Sequence, residues 1–196
     1  AQKVLKKKKK ITDKPVSALI YTNGKADHVG GGGVFVNDSK TQGQLPDIIA
    51  NIEFGENVFP SIGQIAKQKS IYDLYWSGLL LPSDNENDSS ISNGLGPNWK
   101  LGNISYVTPN ILFNDTLETT YSGINITLIS APGPSPEQIF VWIPEKSVLL
   151  SSDLVYESFP NLYSLSGLED VDIQSWIDAI DRMRELNSTF LIPSHL

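Results

Sequence analysis

A layered α/β sandwich is the fold class this sequence predicts, on three observations. Short apolar runs bounded by turn residues, such as 16–21, 124–130 and 139–143, read as buried strands. Two stretches, 62–81 and 171–186, place apolar residues at helical spacing. Strands and helices then alternate in mixed order, which builds sheets covered by helices. A chain of 196 residues can bury one good core, so residues 1–196 are taken as one domain.

The elements follow in order. Residues 1–10 are rich in helix formers, with Val4 and Leu5 their few apolar members, and Pro15 closes the segment. The lysine run 6–10 reads as the solvated face of that helix. Residues 16–21 form a parallel-type strand, and a polar loop with Asp27, His28 and four glycines follows. Residues 47–52 read as a second strand. Ile62, Ile65, Ala66, Ile71, Leu74 and Tyr75 mark a helix that Pro82 stops. A polar loop occupies 83–98. From 104 to 151 the pattern turns to strands, the clearest at 111–113, 124–130, 139–143 and 147–150. Turns are expected at Ser122-Gly123, 132–136 and 144–146. Ile173, Trp176, Ile177, Ile180 and Met183 share one side of an amphipathic helix over 171–186. A last strand at 189–192 runs into Pro193-Ser194-His195. The opening helix and a histidine next to the end suggest a segment of a longer protein.

Composition excludes several classes. A net charge of −7 argues against a nucleic-acid partner. No run of 18 apolar residues is present, so no transmembrane helix is expected. No apolar stretch follows the N-terminal lysines as a signal peptide requires, although a removed one would leave no trace. The absence of cysteine rules out disulfides and thiolate-bound zinc and leaves the compartment open. Six N-x-S/T triplets begin at Asn37, Asn87, Asn103, Asn114, Asn125 and Asn187. With 14 Asn and 31 Ser plus Thr, chance gives about 2. The excess points to N-linked glycans and an extracellular or cell-surface protein; an Asn- and Ser-rich proteome is the other explanation. Asn87, in the polar loop, is the most exposed on this reading. Asn125 opens a strand, where its side chain could face the core.

Four segments put ligand-type side chains just after apolar strands: residues 23–28, residues 132–137, Asp153 and His195. Strand ends of α/β folds are where ligands and metals collect. The stretch "ALIYTNGKADHVGG" resembles the metallo-β-lactamase-fold signature T-H-x-H-x-D-H-x-G-G. It is closest to the alkylsulfatase branch, with its A-L-I-Y-T-H-S-H-x-D-H-F-G-G. "APGPSPEQIFVWIP", "VLLSSD", "NLYSLSG" and "IPSH" follow in that branch's order and at similar spacing, with "LYWSGLLLP" and "GLGPNWKLG" between. Any one segment is weak, but five in order cover essentially the whole chain. The resemblance implies an αβ/βα sandwich, incomplete at its N-terminal end. It also implies that the dimerisation and C-terminal lipid-binding-like domains of such sulfatases lie outside this chain. Assembly with those flanks or with further copies of the chain stays open.

The family binds two zinc ions, and the resemblance assigns their ligands one at a time. The first ion uses the two His of H-x-H, which here are Asn23 and Lys25, and a Glu whose place Pro134 or Ser135 takes. Glu137 is near that place but aligns poorly. An amide is a poor zinc ligand and a charged lysine has no lone pair, so the first site reads as lost. The second ion's ligands match Asp27, His28, His195 and, as the carboxylate bridging both ions, Asp153 in place of Glu. The only two histidines of the chain fall in this set. One zinc or another divalent ion fits it. The alternative is a set of metal-free remnants, with Asp27 capping the next loop and Lys25 pairing with Asp153. The Arg that contacts sulfate in the family is Ser166 here. Two functions therefore stand: an alkylsulfatase-like hydrolase with an altered centre, or a non-catalytic, secreted, glycosylated module for binding or assembly.

Overall fold

A computed structural model of the protein describes residues 1–55, 71, 104–157 and 171–195. The predicted helix 62–81 (Ile71 apart), the loop 83–98, Asn87, Asn103 and Ser166 lie outside the described residues.

Thirteen elements are described, in the order α1 (Gln2–Lys9), β1 (Ala18–Ile20), α2 (Ala26–Val29), α3 (Gly32–Thr41), β2 (Asp47–Asn51), β3 (Ile111–Phe113), β4 (Thr116–Tyr121), β5 (Ile124–Ser130), β6 (Ile139–Ile143), a 3₁₀ turn (Pro144–Lys146), β7 (Val148–Ser152), α4 (Ile173–Glu185) and β8 (Phe190–Pro193). Strands β1, β2 and β3 form a parallel sheet in that order. The second sheet runs β4-β5-β6-β7-β8, antiparallel except for β8, which lies parallel to β7.

Period-two alternation makes the layers. Ile49, Phe113, Leu128, Ile139 and Val141 meet in a core fed by both sheets. Their chain neighbours face the other way. Ile48 and Ala50 join Val29, Val36 and Phe54 in a second core under the first helices. Ile129, Phe140 and Leu149 join Trp176, Ala179 and Met183 of α4 in a third. Helix, sheet, sheet, helix is thus the αβ/βα sandwich that the sequence predicts. Each fully buried Leu, Ile or Phe contributes about 1.5–3 kcal/mol of transfer free energy to it.

Local chemistry explains the boundaries. Asp172 caps α4 by accepting the Ser175 backbone N–H at 3.1 Å. Ser122 and Gly123 both have positive φ (54° and 80°), as a two-residue type I′ hairpin between β4 and β5 requires. The segment after Asn23 departs from expectation: it folds into α2 and α3, not an open loop. Its glycines open a helix because neighbouring groups press against them too closely for a side chain. A Cβ at Gly32 would collide with the Tyr21 hydroxyl, and one at Gly33 with Ser105. Packing thus outweighs the low helix propensity of glycine.

Candidate metal centre

The two sheets are joined where the candidate residues lie. Ile139 at the start of β6 donates its N–H to Thr22 O just past β1 at 3.0 Å. Because β6 runs against β7, its start lies beside the end of β7, where Asp153 follows. Beyond β8, Ser194 N–H reaches Ser152 O at 3.1 Å, which sets His195 beside that same end. Ser152 itself has φ of 54°, a left-handed turn that costs a serine energy and redirects the chain into Asp153. Its hydroxyl is held by Gln138 Nε2 at 2.9 Å.

All four predicted second-site residues converge. His28 Nε2 is 3.2 Å from Asp153 Oδ1 and 3.7 Å from Asp27 Oδ2. His195 Nε2 is 3.1 Å from Asp27 Oδ2 and 3.5 Å from Asp153 Oδ1. The two imidazole centroids are 5.6 Å apart. The set is graded in depth: Asp153 (5% exposed) and His28 (9%) form its floor. Asp27 and His195, each 56% exposed, form its rim. Asp153 Oδ1 is buried and receives no aligned hydrogen bond among the described residues, although two ring nitrogens face it. A buried oxygen left short of donors beside two imidazoles suits a divalent cation.

The first-site positions are built differently. Lys25 Nζ lies 2.7 Å from Asp153 Oδ2. Asn23, fully buried, donates from Nδ2 to that same oxygen at 3.2 Å, while its Oδ1 accepts the Lys25 backbone N–H at 3.0 Å. Two donor groups therefore meet one oxygen of Asp153, and neither an ammonium nor an amide N–H offers a lone pair to an ion there. Burial by itself would raise the Asp153 carboxyl, but the His28 ring and the Lys25 ammonium outweigh it and hold it well below the usual carboxylate range. Glu137 is not part of the cluster: it is buried, and its Oε1 accepts the Gly24 backbone N–H at 2.8 Å, which anchors the loop.

Thr22, which sequence reading passes over, and Asn23 both contact the His28 ring. Its Nδ1 meets Thr22 Oγ1 at 3.1 Å and Asn23 Nδ2 at 3.3 Å. The Asn23 amide can only donate, so it favours a bare Nδ1 and a proton on Nε2, the atom facing the cluster. The Thr22 hydroxyl can accept from Nδ1–H and so support the tautomer that frees Nε2 for an ion. Thr22 is set by its place at the end of β1, a position the strand reading of residues 16–21 already implied.

Comparison with known proteins agrees with this architecture. A family model of the metallo-beta-lactamase superfamily matches residues 1–195. A linear primary-alkylsulfatase from a Pseudomonas species is 28% identical over 199 residues, covering 100% of this chain and 37% of the relative. The alkyl/aryl-sulfatase BDS1 of Saccharomyces cerevisiae is 28% identical over 176 residues, covering 87% of this chain and 26% of its own length. Among solved structures, the stereoselective inverting sec-alkylsulfatase Pisa1 from Pseudomonas sp. superimposes with a TM-score of 0.79 at 22% identity, over 93% of this chain and 29% of that one. The chain thus spans little more than a third of these curated relatives at most.

Proposed function

The chain belongs to the metallo-beta-lactamase superfamily and is alkylsulfatase-like within it, and from that premise we propose that it holds at most one divalent ion, with sulfate-ester hydrolysis lost or much reduced. The observation that carries this is the split at Asp153. Oδ1 faces His28 and His195, while Oδ2 is taken by Lys25 and Asn23. Asp27, His28, Asp153 and His195 would hold the ion. A divalent ion there supplies a Lewis acid able to polarise an ester oxygen or acidify a water. The chain's own groups would do the rest. Asp153 and His28 fix the buried side of the centre, and the exposed Asp27–His195 pair can pass a proton to or from solvent. The residue at the family's sulfate-contacting position, Ser166, lacks a guanidinium, which removes a bidentate partner for the anion.

Purified full chain, assayed for metal content and for hydrolysis of a short primary alkyl sulfate, tests the proposal. Up to one equivalent of zinc is expected, lost in His28→Ala, with turnover far below that of a dinuclear relative. Two ions per chain with a relative's turnover would overturn it.

The second reading is a non-catalytic, glycosylated binding module at the cell surface or outside the cell. What favours it is that the four described sequon asparagines, Asn37, Asn114, Asn125 and Asn187, are all exposed. Asn125 in particular stands clear of the core, its amide bonded to Thr120 and Glu145 at 2.7 Å each.

A further inference from the structure

We propose that the Lys25 ammonium, steadied by Asn23, is a built-in cation that takes over the charge of a first metal ion and makes Asp153 independent of metal. The inference deepens the single-ion reading above and rests on its view of the first site.

Three observations support it. The ammonium and the Asn23 amide meet one and the same carboxylate oxygen, Asp153 Oδ2, at 2.7 and 3.2 Å. The opposite oxygen, Oδ1, is turned to the two histidines at 3.2 and 3.5 Å. A carboxylate with cationic or donor groups on one oxygen and ligand nitrogens beside the other keeps the posture of a bridge between two cations. One of the two has become part of the chain. Second, the replacement is anchored: the Lys25 backbone N–H is held by Asn23 Oδ1 at 3.0 Å, and neighbouring Gly24 N–H by buried Glu137 at 2.8 Å. The ammonium therefore leaves from a fixed loop. Third, Asp153 is almost fully buried, and a buried carboxylate without a counter-charge is costly. In a metal-dependent centre that charge is balanced only when ions are bound. Here it is balanced in the bare polypeptide.

Two consequences separate this role from that of an ordinary surface pair. Without metal, the protein should depend on Lys25 for stability, and only as long as Asp153 is charged. With metal, Lys25 should oppose binding, because a fixed positive charge beside Asp153 repels an incoming cation.

The test uses the full chain and four proteins: wild type, Lys25→Met, Asp153→Asn and the double variant, each stripped with a chelator. Lys25→Met is expected to lower the melting temperature by about 3–6 °C. The same change in the Asp153→Asn background should have almost no effect, and Lys25→Arg should restore most of the loss. Zinc titration should show Lys25→Met binding about tenfold tighter than wild type or more. If Lys25→Met fails to fold, recovery of folding in the double variant supports the proposal, and failure of both overturns it. Equal chelated stability of wild type and Lys25→Met, with unchanged zinc affinity, also overturns it, even if wild type binds one zinc. If wild type binds no zinc at all but Lys25 and Asp153 remain coupled, this inference is supported, and the reading above stands at its lower limit of no bound ion.

Discussion

Asp153 is the residue on which the centre turns. It is a single carboxylate at the end of β7, aimed by the left-handed Ser152 and shared between a lysine and two histidines. Burial opposes its ionisation, and the surrounding positive and donor groups more than reverse that effect. A carboxyl depressed in the folded state adds stability that is complete above its unfolded value, about 3.9, and lost as pH falls below it toward the folded value. Among the described residues, Lys25, His28, Asp27, His195 and Tyr156 are charged or titratable groups around it. In chelated protein, the stability excess of wild type over Asp153→Asn should accordingly shrink as pH falls below about 4. Melting curves below about pH 5 check this; an excess that grew as pH fell from about 4 would contradict the charge assignment.

At the scale of elements, the sandwich places residues of one type in very different surroundings. Leu128 on β5 is fully buried between the sheets, whereas Leu112 on β3 is 54% exposed. Leu128→Ala should cost about 2–5 kcal/mol, the range for an apolar deletion in a packed core. Leu112→Ala should stay within about 0.5 kcal/mol. Urea unfolding midpoints of the two variants measure the contrast. The element least legible in sequence is α3. Four glycines in a row read as loop, because a propensity sum cannot know that Tyr21 and Ser105 will press against the last two. Strand β4 (Thr116–Tyr121) is similarly muted. Its exposed face is polar, and only Leu117 and Tyr121 reach the core between the sheets.

The whole molecule places the centre at one edge of the sandwich, where β1, β7 and β8 end and β6 begins. No helix among the described residues is long and apolar enough to cross a membrane. The four described sequon asparagines are exposed, with Asn37 on α3, Asn114 between β3 and β4, Asn125 on β5 and Asn187 after α4. Expressed through a secretory pathway, the chain should lose mass in steps of one glycan on enzymatic deglycosylation. An unchanged intact mass would remove the support for the secreted reading.

The layered fold and the spatial convergence of Asp27, His28, Asp153 and His195 were legible in the sequence. Both rest on local regularities: period-two and helical spacing for the strands and α4, and ligand-type residues placed just past apolar runs. The two histidines of the chain were marked as partners from opposite ends of it, and the structure sets their rings 5.6 Å apart. Tertiary structure alone decided what those residues do to one another. That Asn23 and Lys25 share Asp153 Oδ2, that Glu137 anchors Gly24 instead of joining the cluster, and that Thr22 and Asn23 both meet His28 Nδ1 all depend on chain segments more than a hundred residues apart or on side-chain orientation. Spacing along a chain encodes which face a side chain takes. It does not encode which oxygen of a distant carboxylate that side chain will meet, because that is settled only when the two sheets close on each other.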